Sequence, residues 1–184
     1  MRERGRSFTV ALPARWRPGA SAYARRILAR AEATMRSLQG VRQDERVTSG
    51  PGSLATTTYW LAAPDRRRYL TGRGVRSIAI GRREWQRLPD TGWRRVNASG
   101  GVPFRTRSWF RWTPYAVAVR LLALTRREAN IALMDPGTPA WIRLRIDRRT
   151  GRVLSDRLIT PGESLLQRYS HFNRPLSIHP PHDR

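Results

Sequence analysis

The chain has 184 residues, of which 39% are apolar and 27% charged, a composition that is typical of globular proteins and excludes an intrinsically disordered chain. It carries 36 basic and 13 acidic residues, which gives a formal net charge of +23, and every basic residue is arginine. It contains no cysteine, which excludes disulfide bonds, thiolate metal sites and cysteine nucleophiles.

The absence of lysine indicates a compositional bias toward arginine, because lysine binds phosphate well and selection for anion binding rarely removes it. The remaining charge still favours anionic partners such as phospholipid head groups, nucleic acids or acidic proteins. No apolar run approaches the roughly 20 residues that span a bilayer. Pro13 and Arg15 interrupt the apolar stretch from Phe8 to Leu12, so no signal peptide is evident and any export signal is expected upstream of this chain.

Residues 1–20 are predicted to form an irregular arm, followed by one long amphipathic helix over residues 21–39. Ser21 is suited to be its N-cap, and Gly40 is suited to end it in the left-handed conformation. Glu32 and Arg36 have the spacing of an i,i+4 ion pair. The apolar stripe of this helix recurs at three- and four-residue spacing and consists of Tyr23, Ala24, Ile27, Leu28, Ala31, Met35 and Leu38.

After Gly40 the apolar period changes from about 3.6 to 2, which predicts an antiparallel meander of short strands with the helix covering one of its faces. A short helix is expected at 163–169. Residues 97–114 carry several aromatic side chains and are expected to form a packed flap or a short helix. The predicted strands are 41–48, 54–63, 66–71, 76–80, 83–88, 93–96, 116–125, 130–135, 140–147 and 152–159.

Alternation along the predicted strands separates a core face from an exposed face. Ile142, Leu144 and Ile146 point to one side of strand 140–147, whereas Trp141 and two arginines point to the other. Arginine and tryptophan share the exposed face of several strands. Three interpretations are open: cross-strand stacking that covers apolar surface, a membrane-interface surface, and a platform on which nucleic-acid bases stack.

Motifs for catalysis or metal binding are absent from the sequence. The histidines, His171, His179 and His182, lie at the C-terminal end without a carboxylate cluster, and we interpret them as solvated, so no metal and no cofactor is predicted. The scattered acidic residues (Asp44, Glu45, Asp147 and Asp156) are expected to pair with arginines. No nucleophile elbow, phosphate loop or zinc-protease motif occurs, so the chain is interpreted as a non-enzyme.

Several segments together resemble the LolA/LppX-like bacterial carriers of lipids and lipoproteins, over roughly residues 20–181. The resemblance lies in turn and strand signatures, and similar domains occur in membrane proteins of the copper-resistance D type. The segments that carry it are Ala63-Pro64-Asp65-Arg66 with Arg68-Tyr69, Ile80-Gly81 with Trp85 and Arg87, Trp93, Thr138-Pro139-Ala140-Trp141 with Arg143 to Asp147, Thr150-Gly151-Arg152, and Tyr169, Phe172-Asn173, Pro175 and Pro180-Pro181.

The resemblance implies an α+β fold in which a curved antiparallel sheet forms a half-barrel and the long N-terminal helix packs on its concave face. It implies one domain over 21–181, with an arm at 1–20 and a tail at 182–184. The space between helix and sheet would then hold acyl chains. The expected ligand-lining residues are Ile27, Leu28, Ala31, Met35, Ile78, Ile80, Val119, Leu121, Ile142 and Leu144; the alternative for each is a place in the packed core.

The sequence therefore predicts a monomeric, extracytoplasmic binding domain for a lipid, an acyl chain or another hydrophobic ligand, as an accessory part of a membrane protein. An anionic membrane surface is a further expected partner. Two alternatives stay open. One is a basic nucleic-acid-binding module, and the other is a ligand-free structural or regulatory domain.

Overall fold

A computed structural model describes residues 21–97, 110–113, 116–135 and 140–181. Within them the chain forms one curved, open antiparallel sheet of eleven strands and a single helix, α1 (Ala22–Arg36). The strands are β1 (Gly40–Gly50), β2 (Ser53–Ala62), β3 (Arg66–Thr71), β4 (Arg76–Ile80), β5 (Arg83–Arg87), β6 (Arg94–Val96), β7 (Arg120–Leu124), β8 (Glu128–Asp135), β9 (Ala140–Asp147), β10 (Val153–Ile159) and β11 (Ser164–Ser170).

The strand order is β6-β5-β4-β3-β2-β1-β11-β10-β9-β8-β7. Strands β1 to β6 form one meander and β7 to β11 form another, as short turns between consecutive strands require. The two meanders join where β1 pairs with β11, in a register that sets Arg42 opposite Ser170 and Thr48 opposite Ser164. The predicted antiparallel meander is confirmed, with this one long-range pairing at its centre.

The helix is shorter than predicted. It has 15 residues and ends at Arg36, with Ser37 as its C-cap. Gly40 belongs to β1 instead of closing the helix, and it does not adopt the left-handed conformation. The predicted N-cap is confirmed, because the Ser21 hydroxyl accepts a hydrogen bond from the Ala24 N–H at 3.3 Å.

The prediction of a short helix at 163–169 is wrong, because these residues form most of β11. Leu165 and Tyr169 lie on one face and Leu166 on the other, and backbone pairing with both β1 and β10 holds the segment extended. Here tertiary pairing decides the structure of a segment with little intrinsic preference. The predicted arm at 1–20 and tail at 182–184 lie outside the described residues, as does most of the segment 97–114.

The helix covers one face of the β7 to β10 half of the sheet, which we call the helix face. Directly paired residues of antiparallel strands share a face, so the register assigns the inward residues of every strand. The main core lies here. It contains the helix residues Ala24, Leu28, Ala31 and Met35, the strand residues Val41, Leu61, Ile131, Leu133, Leu144, Ile146, Val153 and Tyr169, and the connecting residues Leu38, Phe110, Trp112, Ala116 and Val119.

The opposite face, which we call the tail face, is partly covered by the C-terminal segment. Ile178 is fully buried there against Ala62 and Ile78, with Leu176 packed alongside. The Arg66 guanidinium donates a hydrogen bond to the Ile178 carbonyl at 3.1 Å. The sheet therefore has two apolar clusters, one on each face.

Contacts of Arg30, Ser21 and Met35 fix the helix to the sheet and to the segment before β7. Arg30 donates hydrogen bonds to the carbonyls of Arg148 and Arg149, at 3.3 and 2.9 Å, in the turn between β9 and β10. At the helix start, the Ser21 N–H donates to the Val119 carbonyl at 2.9 Å. Met35, near the other end of the helix, lies with its sulfur 3.4 Å from the Val153 N–H.

Candidate ligand-binding site

The first candidate cavity lies on the helix face of strands β9, β10 and β11, beside the core. It encloses about 240 Å³, and we call it the Asp156 cavity. Ile142, Leu158 and Leu165 are consecutive partners across these three strands and provide its apolar floor. The full lining is Phe110, Trp112, Ile142, Asp156, Leu158, Leu165, Gln167 and Tyr169.

Glu32 positions the aromatic wall of this cavity. Its buried carboxylate accepts hydrogen bonds from the backbone N–H groups of Trp112 and Thr113, at 2.8 and 2.7 Å. The predicted ion pair with Arg36 is also present, at 3.9 Å. The helix thus holds residues 110–113 above the sheet, and Phe110 packs edge-on against Tyr169 with a centroid separation of 5.5 Å.

A chain of polar side chains begins in the cavity and crosses to neighbouring strands. The Tyr169 hydroxyl lies 2.8 Å from both a carboxylate oxygen of Asp156 and the amide oxygen of Gln167. The Gln167 amide N–H₂ donates to Glu45 at 2.7 Å, and the Tyr59 hydroxyl donates to Glu45 at 3.3 Å. The lining of the cavity is therefore amphipathic, with a hydrogen-bonding side next to the apolar floor.

Asp156 has a strongly perturbed carboxyl group. Its pKa is raised to about 7, mainly because burial disfavours the charged form; the hydrogen bond from Tyr169 acts in the opposite direction, and the charge of Glu45 adds to the rise. Burial and the neighbouring Asp156 also raise the pKa of Tyr169. One oxygen of Asp156, Oδ1, has no hydrogen-bond partner among the described residues, so the side chain can accept a hydrogen bond from a ligand or donate one when protonated.

The predicted pairing of Asp156 with an arginine is therefore wrong for the described residues, where its partner is Tyr169. The same prediction holds for Asp44, which lies 2.9 Å from Arg42. Asp147 instead accepts hydrogen bonds from the N–H and hydroxyl of Thr150, both at 2.7 Å. These bonds lower the pKa of Asp147. Glu45 accepts hydrogen bonds from Gln167 and Tyr59 in the polar chain described above.

The second candidate cavity lies at the margin of the helix and encloses about 250 Å³. Its apolar wall is formed by Tyr23, Ile27 and Ile146, and its other residues are Arg26, Arg30, Asp147, Arg148 and Gly151. The abundance of charged groups distinguishes it from the Asp156 cavity. We call it the Ile27 cavity.

The tail face shows what the repeated arginine–tryptophan pattern does in this fold. Arg42 and Arg68 are the direct partners of Trp60 on either side. Their guanidinium carbons lie 5.9 and 4.3 Å from the Trp60 ring centroid. Cross-strand cation–π stacking therefore accounts for Trp60, and the ring is flanked by arginines of the same sheet.

The chain is similar to known proteins in its fold and not in its sequence. No protein family and no curated protein matches the sequence. Among solved structures, lipoprotein LppX of Mycobacterium tuberculosis matches with a TM-score of 0.67 at 11% identity, over 87% of this chain and 100% of LppX. LprF from Mycobacterium bovis matches with a TM-score of 0.63 at 10% identity, over 88% of this chain and 98% of LprF.

This chain has a LolA/LppX-like fold. The resemblance inferred from the turn and strand signatures is thereby confirmed for the fold. At such low identity the likeness to LppX and LprF extends to the fold alone. The similarity to domains of copper-resistance D-type proteins stays a prediction.

The LolA/LppX-like fold distributes the ten predicted lining residues over several environments. Ile142 lines the Asp156 cavity and Ile27 lines the Ile27 cavity. Leu121 is half-buried at the edge of the main core. The buried core itself contains Leu28, Ala31, Met35, Val119 and Leu144.

Ile78 and Ile80 lie on the tail face, away from the helix, which differs from the inward position expected for them. Ile78 pairs with Arg68 and Trp85, and both isoleucines belong to the cluster around Ile178. Alternation within β4 shows that these residues share a face, but it does not tell which face the helix covers.

Sequence reasoning missed most of the Asp156 cavity. Leu165, Gln167 and Tyr169 lie in the segment for which the sequence predicts a short helix. The run Ser164 to Ser170 does not alternate between apolar and polar side chains, so no local pattern identifies β11. Asp156 gives no local signal either, because its burial depends on the segment that Glu32 holds in place.

Proposed function

We propose that this protein is a non-catalytic binding domain for a lipid, an acyl chain or another hydrophobic ligand, and that the Asp156 cavity is its binding site. The observation that carries the proposal is the composition of that cavity, in which five apolar side chains face three hydrogen-bonding ones. Binding pockets for small molecules commonly combine an apolar lining with a few polar groups that orient the ligand. The LolA/LppX-like fold supports the same conclusion.

The volume restricts the ligand. Pockets for drug-sized molecules usually enclose about 300–1,000 Å³, and the Asp156 cavity encloses about 240 Å³. It therefore suits one acyl chain or a part of one, with a hydroxyl, carboxyl or amide group directed toward Asp156, Gln167 and Tyr169. Among the ten lining residues predicted from the sequence, we propose that Ile142 contacts such a ligand.

Two experiments test this function. Native mass spectrometry of the purified protein should show a bound acyl species. A medium-chain fluorescent fatty acid should then bind with an affinity that Leu158→Phe lowers about tenfold, since overfilling a packed site costs about 1–3 kcal/mol. Leu122→Phe makes the same kind of change at an exposed position of β7 and should have no effect. Absence of uptake, or equal weakening by both variants, would contradict the proposal.

A ligand-free structural domain is the second candidate, and the packing of the helix favours it. Leu28 and Met35 have at most 1% of their surface exposed, so the centre of the helix stripe is filled core. Under this alternative the wild-type protein shows a clean apo mass and no fatty-acid uptake. The nucleic-acid alternative is less supported, because Arg42 and Arg68 already flank Trp60.

We further propose that the domain acts outside the cytoplasm as a monomeric, accessory part of a membrane protein. The solved structures with the same fold include a lipoprotein, LppX. Within residues 21–97, 110–113, 116–135 and 140–181, no helix has the length and hydropathy of a transmembrane span.

A further inference from the structure

One end of the tail face carries exposed apolar side chains in a single row. Trp141 on β9 pairs directly with Ile159 on β10, and the row continues through Ser164 and Thr48 to Leu54 on β2. The exposed fractions of Trp141, Ile159 and Leu54 are 45%, 41% and 56%. At about 4.8 Å between strands, the row is roughly 19 Å long.

A row of arginines lies directly behind this apolar row. Arg143 and Arg157 are direct cross-strand partners, and Arg46 continues the same row on β1. All three are exposed. Each stands two residues further along its strand, about 7 Å from the apolar row. We call the two rows together the Trp141 rim.

The charges in the rim favour an anionic partner. Like charges directly opposite each other in a sheet are destabilising, and Arg143 faces Arg157 in this way. The nearest acidic groups of the described tail face stand in other rows: Asp44 pairs with Arg42, and Glu128 lies 3.7 Å from Arg145. The acidic residues at this end of the described sheet are Glu163, in the turn between β10 and β11, and Asp135, which pairs with Ala140 at the end of β8.

An apolar row that contains tryptophan, backed by arginines, matches the chemistry of a bilayer surface. Tryptophan prefers the head-group level, and arginine is attracted to anionic phospholipid. We propose that the Trp141 rim docks this protein on the surface of a membrane that contains anionic phospholipids. Trp141, Ile159 and Leu54 enter the interface, while Arg46, Arg143 and Arg157 contact phosphates.

The rim and the proposed binding cavity occupy the same ends of the same strands. Trp141, Ile159 and Ser164 on the tail face are the immediate neighbours in sequence of Ile142, Leu158 and Leu165 on the cavity floor. Docking through the rim therefore brings the Asp156 cavity to the lipid surface. This last link rests on the proposed function, whereas the docking itself does not.

The test uses the full chain and two kinds of vesicles, one of phosphatidylcholine alone and one containing about a third phosphatidylglycerol. Co-sedimentation should show binding to the anionic vesicles. The variant R46Q/R143Q/R157Q should bind about 100-fold more weakly, because each basic residue near an anionic surface contributes about fivefold. The variant W141S/I159S should also bind more weakly, including at high salt where charge attraction is screened.

The matched control is R82Q/R83Q/R95Q, which removes the same charge at exposed positions. These positions lie on β5, on β6 and in the turn before β5, near the β6 edge of the sheet. It should retain wild-type affinity for the vesicles. Equal loss in the control would overturn the proposal in favour of general charge attraction. Absence of vesicle binding by the wild type would also overturn it. If the wild type binds single-stranded DNA instead, and the rim variant loses that binding, the rim is a nucleic-acid surface.

Fatty-acid uptake measured without vesicles separates the two proposals. The rim variants should retain uptake while losing vesicle binding. A protein that binds vesicles through the rim but takes up no fatty acid would refute the cavity and leave the docking surface intact. Far-UV circular dichroism confirms that each variant is folded before its binding is compared.

Discussion

The carboxyl group of Asp156 makes the free energy of unfolding depend on pH. Its side chain is 7% exposed and is hydrogen-bonded to Tyr169. Burial disfavours the charged form, and the pKa rises from 3.8 to about 7 in the folded protein. In the unfolded chain the same group loses its proton at much lower pH, so the two states bind different numbers of protons across this interval.

We therefore expect the free energy of unfolding to fall as the pH rises from about 4 to about 7. Across that window the folded state retains a proton that the unfolded state has released, so the contribution is unfavourable to folding and reaches a few kcal/mol near pH 7. Urea unfolding at intervals of pH measures the slope. D156N should flatten it, because it removes the carboxyl group that titrates in this interval. A slope that survives D156N would assign the effect to other groups.

At the scale of the elements, the contact between α1 and the turn that joins β9 to β10 is held by backbone geometry. Gly151 has a φ of +74°, and a Cβ atom at this position would lie 2.8 Å from the Thr34 hydroxyl oxygen. Arg30 binds the carbonyls of the same turn. A glycine is needed here both for its left-handed conformation and for the close approach of the helix.

We expect Gly151→Ala to lower the free energy of unfolding by about 1–3 kcal/mol, the cost of holding a non-glycine residue in strained backbone, with the helix contact adding to it. Chemical denaturation measures this change. Gly162→Ala is the matched control, because Gly162 lies in the next turn with nothing within 4 Å of its added Cβ atom. Equal effects of the two substitutions would mean that neither the left-handed backbone of Gly151 nor its packing against Thr34 contributes to stability.

The elements also show which parts of the structure were accessible to sequence reasoning. Alternation in β9 correctly placed Leu144 in the core and Trp141 on the exposed face, because the pleat allows two faces only. The same rule could not assign Ile78 and Ile80 to the helix face or the tail face, since that choice depends on the register with β3 and on the position of Ile178. Local patterns determine alternation, whereas packing determines which side is covered.

The Asp156 cavity illustrates the same limit for the candidate site. The strand pattern predicts Ile142 on the covered face of the sheet, and its place in a ligand cavity is what the family resemblance implies. Gln167 and Tyr169 are not predicted there, because β11 owes its extended form to pairing with β1 and β10. The buried environment that raises the pKa of Asp156 results from several segments brought together, and no single stretch of the sequence predicts it.

For the whole molecule, the net charge of +23 affects stability as well as binding. Four salt bridges occur among the described residues, and mutual repulsion between arginines opposes the compact state. We expect the free energy of unfolding to rise when salt is increased from about 0.01 to 0.15 M, because the Debye length shortens from roughly 30 to 8 Å. Thermal unfolding at both salt concentrations measures this effect.

The variant R46Q/R143Q/R157Q should reduce this dependence on salt, since it removes a like-charge pair and part of the repulsion. The control R82Q/R83Q/R95Q removes the same net charge, but none of its three arginines stands directly opposite another arginine on a neighbouring strand. A fall in stability with added salt would instead indicate that attractive ion pairs dominate the electrostatics of this sheet.

The pairing of β1 with β11 has a consequence for the order of folding. The central ladder of the sheet joins strands from opposite ends of the described chain, with Arg42 opposite Ser170, so it contributes contacts of very high sequence separation. Such contacts form slowly, because the chain loses the conformational entropy of closing a long loop before the contacts stabilise it. Each meander can form as soon as its own strands are available, but the ladder between them must wait for β11. During synthesis, the edges of β1 and β10 stay open until β11 is available, which makes this interval the one most exposed to aggregation.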